Sequence, residues 1–95
     1  MALKQDFAKV VENQIAVWQA QIEEHQDRLG KSGTEARIGY EKAVVSLREN
    51  AEQAVKLLHQ VRDASEGAWK DMQTSSLVAF ERLQKGWADA IGRFL

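Results

Sequence analysis

The side chains with the widest chemical reach are His25 and His59, the only histidines in a chain of 95 residues that has no cysteine. Neither follows a glutamate by three residues, so the Glu-x-x-His spacing of di-iron sites is missing. The His-Glu-x-x-His zinc pattern is missing as well. His59 and Asp63 lie one turn apart, but two ligands fall short of a metal site. His25 falls on an apolar helical seam, where a polar residue can set register as a buried Asn does in a zipper. Its preferred reading is a partly exposed histidine near a helix end.

Gly30-Lys31-Ser32 resembles the end of a phosphate-binding loop. That loop needs a further glycine five residues earlier, where this chain has His25, and a preceding strand. The segment reads as a linker. Ser and Thr residues lie in the linker or along helices, without the strand-turn elbow of a nucleophile. Glu23 and Glu24 are neighbours on a solvated face rather than two carboxylates across a cleft. No residue is singled out as catalytic, cofactor-binding or metal-ligating, and the expectation is a protein that is not an enzyme. Trp18, Trp69 and Trp87 remain. Buried Trp is enriched at binding hot spots; Trp18 reads as core, while Trp69 and Trp87 read equally as core or as partner anchors.

The elements that carry these residues are helices. Thirteen basic and 14 acidic residues leave a net charge of −1. They are well mixed, without the basic stripe that nucleic acid demands. Cysteine is absent, which rules out disulfides and fits a reducing cytoplasm. Proline is also absent, and Ala, Glu, Gln, Lys, Leu and Arg dominate, a helix-forming composition. The chain makes one domain at most, small enough that assembly is a common route to stability. The N-terminus lacks a signal-peptide layout, and no apolar run approaches the ~20 residues of a membrane span.

Ala8, Val11, Ile15, Trp18, Ile22, His25 and Leu29 step by alternating threes and fours, with Phe7 and Val17 widening the stripe. This predicts helix 1 over about 2–29. Gly30 reads as its C-terminal cap. The linker is 30–34, with Ser32 and Glu35 as a capping box and Thr34 as the rival N-cap. A second seam runs through Tyr40, Val44, Leu47, Ala51, Ala54, Leu58, Val61, Ser65, Ala68, Met72, Ser75 and Ala79, predicting helix 2 over about 35–94. Four acid-first pairs support it: Glu52–Lys56, Glu66–Lys70, Glu81–Lys85 and Asp89–Arg93. Another row, Trp69, Phe80, Leu83, Trp87, Ile91 and Phe94, lies one residue out of phase, which is ~100° of helix rotation.

Two architectures follow. The preferred one is an antiparallel helical hairpin or coiled coil with a long, continuous helix 2, helices of ~40 and ~90 Å, assembled into a multi-helix bundle. The alternative is a three-helix up-down-up bundle with a break near 63–67, where Asp63 and Glu66 spell another capping box. Continuity is preferred because the first seam crosses the break in step, and because a reversal needs more loop than Ser65-Glu66-Gly67 supplies. The small residues Ala64, Ser65, Gly67 and Ala68 would then let another helix approach closely. Helix 1 would cover only half of helix 2. Trp69, Phe80, Leu83, Trp87, Ile91 and Phe94 would be left as the interaction surface, for a second copy or another protein.

Trp18 with Ile22, Tyr40-Glu41-Lys42, Leu47-Arg48, Ala64-Ser65-Glu66-Gly67-Ala68-Trp69, Ala79, Trp87 and Phe94 carry a likeness over nearly the whole chain. In these the chain resembles small bacterial coiled-coil proteins related to a cyanobacterial stress-induced protein. The resemblance implies a bacterial, cytoplasmic, stress-linked protein and brings no catalytic residue. The expected function is that of a non-catalytic structural protein that self-associates, or scaffolds partners, by coiled-coil packing. One alternative is a lipid- or granule-surface protein acting through the amphipathic stretch 77–95. It is not favoured, because Arg82, Lys85 and Arg93 are nearly balanced by Glu81 and Asp89. Another is an inert accessory subunit or assembly factor of a larger complex.

Overall fold

The computed structural model describes residues 4–31 and 33–94, apart from the side chains of Ala36 and Phe94. These form three helices and no strand: α1 Lys4–Lys31, α2 Thr34–Asp63 and α3 Glu66–Phe94. The fold is all-α. Each helix carries one apolar stripe and otherwise Gln, Glu, Lys, Arg and small residues, so each must bury one face.

The N-terminal end of α1 meets the C-terminal end of α2, where Lys4 Nζ donates to Ala64 O at 2.9 Å. Midway along, Asn50 Nδ2 of α2 donates to Leu83 O of α3 at 2.8 Å. α1 therefore runs antiparallel to α2, and α2 to α3. Rings of α1 and α3 meet in parallel order, Phe7 with Trp69 and Trp18 with Trp87. The described residues extend 52 × 18 × 17 Å, somewhat more than the ~42–45 Å of a single helix of 28 to 30 residues at 1.5 Å per residue.

That length departs from the continuous helix expected over 35–94, which would run ~90 Å. α2 ends at Asp63 and the chain reverses over Ala64 and Ser65 alone. Ala64 leaves the helix in extended backbone, φ −70° and ψ 135°, with its N–H on Val61 O. Ser65 then caps α3: its Oγ accepts the Ala68 N–H at 3.1 Å and its carbonyl accepts the Trp69 N–H at 2.8 Å. The cap is thus Ser65, not the Asp63–Glu66 box. Lys4 completes the turn by satisfying the last carbonyls of α2, a favourable place for a cation.

The first turn also differs in detail. α1 continues through Gly30 to Lys31, so Gly30 lies inside the helix rather than beyond its end. Gly33 is the N-cap of α2, with no side-chain cap bond, and Thr34 is the first helical residue. Ser32, half of the expected capping box, lies outside the described residues.

The core follows the predicted seam as far as Val61. Ala8, Val11, Ile15, Trp18 and Ile22 of α1 are buried, and so are Val44, Leu47, Ala51, Ala54, Leu58 and Val61 of α2. Val17 instead stays exposed. Beyond the turn the seam moves to the margin: Ser65, Ala68 and Ser75 are exposed and Met72 and Ala79 only partly buried, while Trp69, Phe80 and Trp87 are buried. The phase change in the apolar pattern marks the passage from one helix to the next. Ion pairs within 4 Å join Glu24–Arg28, Arg37–Glu41 and, between helices, Glu12–Arg62. None of the four predicted acid-first pairs closes to that distance among the described residues. All three observed pairs are solvent-exposed and worth little individually.

Candidate functional site

α3 returns alongside α1, so the aromatic row expected to seek a partner meets α1 of its own chain. Phe7 lies 5.4 Å from Trp69 and 6.0 Å from Phe80, the latter edge-on. Trp18 stacks on Trp87 with centroids 4.9 Å apart and planes inclined by 11°, and it also meets Phe80 at 6.4 Å. Offset and edge-on rings are the favoured aromatic geometries, adding to the gain from burial. Leu83 and Ile91 are partly buried and pack against the same cluster. Phe94 ends α3, and its side chain lies outside the described residues. Of the six residues singled out for interaction, Trp69, Phe80 and Trp87 face the core and Leu83 and Ile91 line its margin.

The opposite flank of α3 meets α2 with small residues and one polar group. Ala43, Ala54 and Ala90 are buried. Beside the bond from Asn50 to the Leu83 carbonyl sits Gly86, where a Cβ would lie 2.9 Å from Asn50 Oδ1. Asn50 and Gly86 were not picked out from the sequence. The available signal was a lone Asn flanking a seam, matched by an interior helix glycine that pays a propensity cost of ~1 kcal/mol.

The outside of the molecule offers less. An open groove of about 580 Å³ runs along α1 and α2, floored by Ile22, Ala51 and Val55 and rimmed by Glu23, Arg48 and Glu52 among others. Four apolar side chains stay about half exposed: Val10 at 54% and Val17 at 51% on α1, Ile38 at 51% and Val45 at 56% on α2. Each pair is spaced by seven residues, two turns of one helix face. Leu77 and Val78 of α3 are exposed to a lesser degree.

His25 is half-buried, its ring 6.3 Å from that of Tyr40. Its Nδ1 and the Gln21 Oε1 one turn earlier are buried atoms without a hydrogen-bond partner. His59 is exposed. Among the described residues no group of three or more His, Cys, Asp or Glu is placed to hold a metal ion, and no helix is long and apolar enough to cross a membrane. No protein-family profile matches the chain, and neither a curated protein nor a solved structure matches it.

Proposed function

We propose that the chain is a non-catalytic helical interaction module that self-associates. One observation carries this reading: on α1 and α2 the large apolar residues left exposed fall in pairs at heptad spacing, Val10 with Val17 and Ile38 with Val45. A helix face bearing apolar groups every seven residues suits the knobs-into-holes packing of another helix. The resemblance noted above adds a bacterial, cytoplasmic and stress-linked setting to the proposal. A scaffolding or accessory role would use the same faces toward a different helix. The lipid-surface reading is less favoured, because α3 turns Phe80 and Trp87 inward.

Sedimentation over a concentration series tests the proposal. The expected result is a mass above one chain at tens of micromolar. A single-chain mass up to millimolar concentration would overturn it.

A further inference from the structure

We infer that α3 is exchangeable between two copies of this chain: the Ala64-Ser65 turn straightens, α2 and α3 fuse into one helix over 34–94, and each α3 packs in the second copy. This rests on the self-association reading and adds a second route to it beside the outer faces.

The turn itself is the first support. It holds only Ala64 and Ser65, both compatible with a helix, with no positive φ at any described residue and no proline in the chain. Rotating Ala64 from ψ 135° to about −42° brings it into the helical region. The Ala68 N–H then leaves Ser65 Oγ for the Ala64 carbonyl, one turn back. Short connections of this kind are the usual hinges of exchanged dimers.

The second support is the apolar pattern. Val61, Ser65, Ala68, Met72, Ser75 and Ala79 keep the three-four step across the turn, yet Ser65, Ala68 and Ser75 are exposed in the closed chain. Gly67 is exposed too, and nothing lies within 4 Å of where its Cβ would stand. In the closed chain Ala64, Met72 and Ala79 pack against the core and Ser65 serves as a cap, but the surface of Gly67, Ala68 and Ser75 stays uncovered. In the fused form it lies at the centre of the long helix, where the two long helices cross and small side chains allow close approach.

The third support is conservation of contacts. The Phe7–Trp69, Trp18–Trp87 and Asn50–Leu83 contacts all join α3 to α1 or α2. Each can form unchanged between copies. The closed form is favoured by three removable bonds at the turn, from Lys4 Nζ to Ala64 O and Arg62 O and from Ala68 N–H to Ser65 Oγ.

The test uses the full chain, whose lack of cysteine allows spin labels at Glu52→Cys and Arg82→Cys, both exposed sites. Doubly labelled chain is refolded with excess unlabelled chain at high concentration, and the dimer is isolated. Thirty residues of continuous helix separate the labels by ~45 Å, whereas adjacent antiparallel helices keep them within ~20 Å. The expected result is a ~45 Å population in the dimer and the short distance in the monomer. Glu66→Pro suits the first position of α3 but breaks a fused helix. It should lower the dimer fraction by about a hundredfold or more while the monomer stays folded. Ser65→Ala should raise that fraction. A dimer that keeps the short distance and survives Glu66→Pro would overturn the exchange and leave self-association through outer faces standing. A chain that stays monomeric even as Ser65→Ala would overturn both.

Discussion

The two flanks of α3 are held by opposite kinds of chemistry. Toward α1 it presents Trp69, Phe80 and Trp87, which keep the helices apart and fill the space with rings. Toward α2 it presents Gly86 and the backbone carbonyl of Leu83, which admit the Asn50 side chain. The aromatic flank supplies buried area but tolerates a range of alignments, since hydrophobic contact is non-directional. The α2 flank fixes register, because a side-chain amide at 2.8 Å from one carbonyl has few alternatives.

Substitutions can break this contrast. Trp18→Ala removes the stack on Trp87 and the contact with Phe80 together. It should lower unfolding free energy by roughly 3–5 kcal/mol, measured by denaturant titration, with lost protection of α3 amides. A change below about 1 kcal/mol would mean that the rings are not the main hold on α3. Trp87→Glu should act in the same way, costing the fold itself before it affects any assembly.

The α2 flank is sharpened by a sign reversal. Gly86→Ala places a Cβ against Asn50 Oδ1 and should destabilise by about 1 kcal/mol, the strain and lost bond exceeding the helix-propensity gain. In an Asn50→Ala background the same change should stabilise by about 1 kcal/mol, since only the propensity gain remains. Equal effects in both backgrounds, read from a double-mutant cycle, would deny the Asn50–Gly86 coupling. Of similar size is Ser65→Ala, which removes the cap of α3 and should cost the monomer about 1 kcal/mol in thermal unfolding. Val17→Ser, on an exposed position outside both flanks, should stay within about 0.5 kcal/mol.

The two turns show why part of this was legible and part was not. Gly30-Lys31-Ser32-Gly33 interrupts the heptad pattern with two glycines, so a reversal there could be read directly. Its details could not: Gly33 is the N-cap where Ser32 and Thr34 were the candidates. The Ala64-Ser65 turn carries no such punctuation. Its residues accept helical or extended backbone at similar cost, and the seam passes through it in step. The signal that did mark it was the one-residue phase shift between Val61 and Trp69, a pattern equally compatible with a helix that changes partners.

Local chemistry alone therefore determined the helical class, the apolar seams of α1 and α2 and the irregular segment between them. Those properties depend on propensity and on 3.6-residue periodicity, which operate within a few turns. The return of α3 was decided by groups distant along the chain: Lys4 capping the end of α2, Phe7 and Trp18 receiving the aromatic row, and Asn50 meeting Leu83. Within a single copy, a two-residue segment with nearly balanced local preferences takes the conformation that lets these remote contacts form, because α1 and α3 of one chain can meet only if the chain reverses there.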